Sequence, residues 1–110
     1  MKPVIVSYDC VDHDPIDRWV PHDVFDVDFW INFTIGPEPG GGDNFLLHIV
    51  TPNNLHGKES DKYALVLVEY SWTSVLAGVE RMLEKSRGAT WSEISEKLSK
   101  FMRWEYDEYK

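Results

Sequence analysis

Two acidic segments of the sequence carry the residue types that metal sites and acid–base enzymes use. In the first, Asp12, Asp14 and Asp17 resemble the start of a calcium loop, but the glycine at the sixth loop position and the glutamate at the twelfth are missing. We interpret it as a solvated acidic loop whose aspartates cap turns. In the second, strand spacing sets Asp26 and Asp28 side by side on an open face, where nothing would raise either pKa. No carboxylate chemistry is expected.

The histidines and the cysteine offer no stronger case for chemistry. Cys10 and His13 have the residue types of a thiol nucleophile and its base, but the electropositive setting that lowers a cysteine pKa is missing. None of the four histidines is paired at the short spacings of zinc sites, and Cys10 is the only thiol. The glycine run 40–42 is typical of a hairpin turn rather than a phosphate-binding loop, since no Lys and Ser or Thr follow it. The sequence predicts no catalytic residue, no metal site and no cofactor.

Strand patterns occupy the first two thirds of the chain. Residues 4–8 predict a short strand, and residues 9–23 a long loop without a clear period. Residues 24–35 alternate apolar and polar side chains, which predicts a long half-buried strand. After a turn a third strand is predicted over residues 44–51. Residues 63–70 are apolar on both faces and predict a fourth, central strand.

Two helices are predicted to end the chain. Ser71 is a suitable N-cap for the first, whose apolar stripe begins at Trp72, and Thr90 with Glu93 has the capping-box spacing for the second. Strands followed by helices predict an α+β fold, with a mostly antiparallel four-stranded sheet and both C-terminal helices packed on one face. Residues 1–110 form one domain. The helices should cover the face that runs from Phe25 to Ile35 and also bury Trp72 and Trp91.

The negative charge of the chain is concentrated near its start. The net charge is −8, and residues 1–30 hold seven aspartates against Lys2 and Arg18. Residues 62–102, in contrast, hold six basic residues and five glutamates. Such a field repels nucleic acid and anionic membrane and favours a basic protein partner. Solubility alone would also explain this charge.

Tryptophans next to carboxylates indicate where a partner would bind. Tryptophan is a favoured binding anchor, and acidic neighbours steer a basic partner towards it. Strand alternation places Trp30 on the side opposite the helices, although the protein's own loop or tail would also explain a covered Trp30. The predicted binding residues are Asp12, Asp14, Asp17, Trp19, Asp26, Asp28 and Trp30, with Glu105, Asp107 and Glu108 as an extension.

Cysteine content and hydropathy favour a cytoplasmic protein. A lone cysteine cannot form an intramolecular disulfide and is typical of a reducing compartment. No apolar run is long enough for a signal peptide or a membrane span. We therefore expect a cytoplasmic protein that is a monomer when free.

The end of the chain resembles a known family. Residues 89–100, followed by Trp104-Glu105-Tyr106-Asp107-Glu108-Tyr109, resemble the closing helix and acidic-aromatic tail of the immunity protein 8 family. The segments Phe33-Thr34-Ile35-Gly36-Pro37, Thr51-Pro52 and Val68-Glu69-Tyr70 are similar to the same family. The resemblance implies an immunity protein of a bacterial polymorphic toxin or contact-dependent inhibition system. Such a protein binds and neutralises one toxin and is not an enzyme.

Charge and resemblance together lead to one expectation about the partner. We expect a 1:1 complex with a basic toxin domain, a nuclease, because the N-terminal field complements a nucleic-acid-binding cleft. Neither nucleic acid nor membrane is expected to bind. A non-catalytic adaptor or assembly module that uses the same face is the alternative, and a small enzyme is the third reading.

Overall fold

The computed structural model describes residues 1–37, 41–57 and 59–107. Within these residues the chain forms five strands and two α-helices. In chain order they are β1 (Val4–Asp9), β2 (Asp28–Gly36), β3 (Asp43–Val50), β4 (Ala64–Val66), α1 (Trp72–Lys85), α2 (Trp91–Leu98) and β5 (Arg103–Trp104). Two short 3₁₀ turns, Pro52–Asn54 and Glu59–Tyr63, lie between β3 and β4. This is the α+β fold that the sequence predicts.

The sheet has the order β1-β2-β3-β4, and β5 pairs with the other end of β3. The pairs β1–β2, β2–β3 and β3–β5 are antiparallel, whereas β4 runs parallel to β3. The prediction of a long central strand over residues 63–70 is therefore wrong, because β4 is three residues long and lies at an edge. Its length follows from the register. Val66 is opposite Val50, where β3 ends, so no ladder partner remains for the residues beyond it.

The helices cover one face of the sheet, as the alternation in β2 predicts. Every second residue from Phe29 to Ile35 is buried, and so are Ile49, Leu47 and Phe45, the β3 partners of Phe29, Ile31 and Phe33. The helices contribute Val75, Val79, Leu83, Ile94 and Leu98 to the same core. Helix α1 lies so close to β4 that a Cβ atom on Gly78 would stand 2.7 Å from a Leu65 methyl. Gly78 therefore sets the distance between the helix and the strand.

Strand β2 begins later than the alternation predicts. The Asp23 carboxylate accepts a hydrogen bond from the Phe25 backbone N–H at 2.9 Å, and the Asp26 N–H donates to the Asp23 carbonyl at 3.1 Å. These bonds form a turn, and Phe25 is 57% exposed instead of lying in the core. Asp26 therefore precedes the strand and does not share the sheet face of Asp28 and Trp30. The local preference of aspartate for turns overrides the apparent period.

Both predicted helix starts are confirmed. The Ser71 hydroxyl accepts a hydrogen bond from the Ser74 N–H at 3.1 Å, and the Thr90 hydroxyl accepts one from the Glu93 N–H at 3.2 Å. The Glu93 carboxylate accepts a hydrogen bond from the Ala89 N–H. This hydrogen bond and the nearby Lys97 ammonium lower the pKa of Glu93. Trp72 and Trp91 pack at the margin of the core and are partly buried.

Candidate functional site

On the sheet face opposite the helices, called the open face below, Trp30 is held by a histidine. The register of β2 and β3 sets Trp30 opposite His48, and the two rings stack with centroids 4.8 Å apart and planes 7° apart. His48 is 3% exposed, and its Nε2 atom lies 2.5 Å from Oδ1 of Asp28. We call Asp28, Trp30 and His48 the Trp30 cluster. One side of the indole is thus covered by a neighbouring strand, and Trp30 is half-buried.

A polar network occupies the other end of the open face. The Asn32 amide donates to the Asp9 carboxylate at 3.0 Å, and the Thr34 hydroxyl donates to Asn44 at 2.8 Å. Glu105 accepts from both the backbone and the side-chain amide of Asn44, at 2.9 and 3.2 Å. Asn32, Asn44 and Glu105 line a cavity of about 350 Å³ together with residues of β5. The Glu105 carboxylate therefore fastens the tail to β3.

Trp19 lies on the opposite side of the sheet from Trp30. Its ring packs edge-on against Phe29 and Tyr70, with centroids 5.2 and 5.3 Å away, and stacks on His13 at 3.7 Å. Phe29 points towards the helices, so the loop that carries Trp19 folds over the end of the core. Ile16 of the same loop is buried. The structure therefore does not bring the two predicted anchors together on one face.

The loop itself, residues 11–26, forms an exposed acidic surface that we call the acidic loop. Asp12, Asp14 and Asp17 are exposed, and no residue in the described part of the chain forms an ion pair with them. Two exposed apolar side chains flank these carboxylates in the sequence: Val11 is 94% exposed and Val20 is 79% exposed. Charge and apolar area are thus interleaved on one segment.

Asp26 is fixed in place by two asparagines from the turn after β3. The side-chain amides of Asn54 and Asn53 donate to its carboxylate at 2.8 and 3.0 Å. These hydrogen bonds lower the pKa of Asp26, so the side chain keeps its negative charge. Asp26, Asp28 and Trp19 line one cavity of about 320 Å³. Three of the predicted site residues thus meet at this end of the sheet: Trp19 on the helix side, Asp28 on the open face, and Asp26 in the turn between them.

The asparagines and His48 are the site residues that sequence reasoning missed. The Thr51-Pro52-Asn53-Asn54 sequence is typical of a turn, but nothing in it indicates which carboxylate the asparagines would contact. His48 occupies a position of β3 that alternation assigns to the open face. Its contact with Trp30 depends on the pairing register, which a single sequence does not specify.

The remaining predicted residues lie apart from this cavity or beyond the described chain. Asp107 is half-buried in the tail, and Glu108 falls outside the described residues. Cys10 is buried and donates its thiol hydrogen to the Trp30 carbonyl at 3.3 Å, and burial raises the pKa of its thiol. The described residues contain no group of three His, Cys, Asp or Glu side chains placed to hold a metal ion.

These features define an α+β domain with a polar and aromatic sheet face and an acidic loop at one end. The family model for immunity protein 8 matches residues 4–109, so the chain belongs to the immunity protein 8 family. Membership implies an immunity protein directed against a toxin, and such proteins are in general not catalytic. Comparison with curated proteins and with solved structures gave no match. No helix of the described chain is long and apolar enough to span a membrane.

Proposed function

We propose that this protein binds a cognate bacterial toxin domain in a 1:1 complex and blocks it without chemistry of its own. Family membership supports the general role. The observation that carries the binding mode is the acidic loop, where two exposed valines flank carboxylates that have no ion-pair partner among the described residues. Apolar contacts supply binding energy after desolvation, and unpaired charges steer the partner to them.

The proposed partner is basic, and a nuclease is the class that fits best. On the helical side, cations and glutamates are mixed and three cations form ion pairs: Lys97 pairs with Glu93, Arg87 with Glu84, and Lys2 with Glu80 and Glu84. The acidic loop holds five aspartates against Arg18 and forms no ion pair among the described residues, so it contributes a net negative charge to that side of the protein. A nuclease needs a positively charged cleft for its phosphate substrate, and a carboxylate-rich surface complements this cleft.

The proposed interface wraps around the end of the sheet where the acidic loop meets β2. Its residues are Asp12, Asp14, Asp17, Trp19, Asp26, Asp28 and Trp30. Glu105 and Asp107 of the tail lie apart from this end of the sheet and, with Glu108 outside the described residues, form a proposed extension. Trp19 and Trp30 lie on opposite sides of the sheet, but Asp26 and Asp28 connect them across the cavity that Trp19 lines. A partner that covers this edge would contact both tryptophans.

Charge reversal on the acidic loop tests the proposal. The toxin domain encoded next to this protein is immobilised, and association rates are measured at low and high salt. We expect the triple variant Asp12→Lys, Asp14→Lys, Asp17→Lys to associate about tenfold more slowly at low salt, with an unchanged melting temperature, because these side chains have no internal ion-pair partner.

The matched control reverses three glutamates of the helical layer, Glu80, Glu84 and Glu96, and so changes the net charge equally. The ion pairs of Glu80 and Glu84 are exposed, and such pairs contribute little to stability. We expect this control to retain most of the wild-type association rate. Equal slowing in both variants, or no slowing in either, would remove the acidic loop from the interface. Failure of the wild-type protein to bind the toxin domain would reject the proposed function as a whole.

A further inference from the structure

The Trp30 cluster holds an aromatic ring and a carboxylate in fixed positions on the open face. Trp30 and His48 are directly opposite each other in the β2–β3 ladder, so backbone pairing brings the two rings together, and they stack with centroids 4.8 Å apart. Asp28 precedes Trp30 by two residues and therefore lies on the same face. Contact with His48 Nε2 orients the Asp28 carboxylate. Neither side chain needs to become ordered when a ligand binds.

The cluster leaves an oxygen of the Asp28 carboxylate available to a ligand. Oδ1 of Asp28 is taken by His48, whereas Oδ2 has no hydrogen-bond partner within the described ranges. The Asp28 side chain is 47% exposed, while that of His48 is 4% exposed. A ligand would therefore meet a carboxylate oxygen next to the exposed part of an indole, with the imidazole beneath them.

The chemistry of this pair favours one ligand group. A guanidinium is planar, stacks on an indole and donates hydrogen bonds to a carboxylate from the same plane. An ammonium can approach the same atoms but cannot stack, and an apolar side chain would desolvate Asp28 without compensation. Asp26 lines the same cavity as Asp28, and hydrogen bonds from Asn54 and Asn53 keep its pKa low, so the surroundings also favour a cation.

We propose that Asp28 and Trp30, positioned by His48, form a docking point for an arginine side chain of the protein partner. The inference rests on the proposed function only in taking that partner to be the toxin domain. It specifies which residue type of the partner binds here, and it makes His48 a positioning residue rather than a contact.

The docking point is tested first on the free protein, without any toxin. ¹⁵N-labelled protein is titrated with Nα-acetyl-arginine amide and, separately, with Nα-acetyl-lysine amide, and the Trp30 indole N–H and the Asp28 and His48 amides are followed by NMR. We expect the shifts to centre on these residues, with half-saturation by arginine at a concentration about fivefold lower than by lysine. Equal responses to both probes, or arginine shifts centred elsewhere, would overturn the proposal.

Variants separate the docking point from general effects on the open face. We expect Asp28→Asn to weaken the arginine response about tenfold, because the charged acceptor is lost. Leu46→Ala is the control, since Leu46 is also partly exposed on the open face and should leave the response unchanged. His48→Gln keeps a donor near Asp28, so we expect it to retain more of the response than His48→Ala. Equal losses in the two His48 variants would argue against its positioning role.

The same variants are then measured against the toxin domain. Weakening by Asp28→Asn and by Trp30→Leu, with no change for Leu46→Ala, supports arginine docking in the complex. If Trp30→Leu fails to fold, Asp28→Asn still decides the question, because the Asp28 side chain is 47% exposed and the substitution keeps its shape. Tight toxin binding by both variants would overturn the docking point and leave the proposed function standing. If the wild-type protein binds arginine amide but does not bind the toxin domain, the proposed function is rejected and the docking point stands.

Discussion

Tyr70 is a buried tyrosine whose hydroxyl has no hydrogen-bond partner in the described part of the chain. Its ring packs against Trp19 and Phe29, with centroids 5.3 and 5.8 Å away, where the acidic loop covers the core. Burial raises the pKa of Tyr70 to about 12, because ionisation would leave a phenolate in an apolar setting. The residue therefore reports on whether the loop stays closed over this end of the molecule.

The raised pKa of Tyr70 predicts how stability responds to alkaline pH. The folded-state pKa of Tyr70 lies above the ordinary value of 10.0. The contribution of the neutral side chain to the free energy of unfolding is therefore fully present below pH 10 and is lost as pH rises through about 12. We expect Tyr70→Phe to reduce this alkaline loss and, at pH 8, to be neutral or to stabilise the fold by about 1 kcal/mol, since an unpaired hydroxyl is removed.

Urea denaturation at pH 8, 10 and 11.5 measures the effect, with tyrosinate absorbance followed in parallel. Tyr106→Phe is the control, because Tyr106 is exposed and its hydroxyl is accessible to water. A Tyr70→Phe variant that loses stability in parallel with the wild type, or that is much less stable at pH 8, would show that the hydroxyl has a partner in solution.

At the scale of elements, one carboxylate connects the start of β3 to both of the last elements of the chain. Oδ2 of Asp43 accepts hydrogen bonds from the indole N–H of Trp91 on α2, at 3.1 Å, and of Trp104 on β5, at 3.0 Å. Trp104 also stacks on Phe45, with centroids 6.4 Å apart. Trp104, the first aromatic residue of the tail, therefore packs on the protein's own sheet.

Asp43 is expected to contribute strongly to stability. We expect Asp43→Leu to lower the free energy of unfolding by about 2 kcal/mol or more, because two partly buried indole donors lose their shared acceptor. Asp43→Asn should cost less, because its carbonyl can still accept. The measurement is urea denaturation, with Asp12→Leu as an exposed control that should change stability by about 0.5 kcal/mol or less. An Asp43→Leu variant as stable as this control would show that the two indoles find other acceptors.

At the scale of the whole molecule, one apolar core between sheet and helices should suffice for folding. We expect the melting temperature to be the same with and without EDTA in reducing buffer, since the described residues provide no metal site. Cys10→Ser should still fold and still neutralise the toxin, because a hydroxyl can donate to the Trp30 carbonyl as the thiol does. Unfolding on addition of EDTA, measured by circular dichroism, would reveal a metal site.

Much of the fold could be predicted because the signals for it are local. A helix cap depends on residues three positions apart, as for Ser71 and Thr90, and the apolar side of β2 follows from alternation within one strand. The acidic character of residues 11–26 is likewise a property of the sequence. These features, together with the family, were accessible without coordinates.

Which side of the sheet each site residue occupies depends on contacts between distant parts of the chain. The loop with Trp19 packs on the helix side and Trp30 on the other, and Asp26 belongs to a turn held by Asn54, which lies 28 residues further along the chain. His48 meets Asp28 across 20 residues of sequence. Such contacts depend on register and on how loops fold back over the core. Alternative registers and loop positions differ in free energy through contacts between residues that are far apart in the sequence. The order of the residues alone does not show which of these arrangements has the lowest free energy.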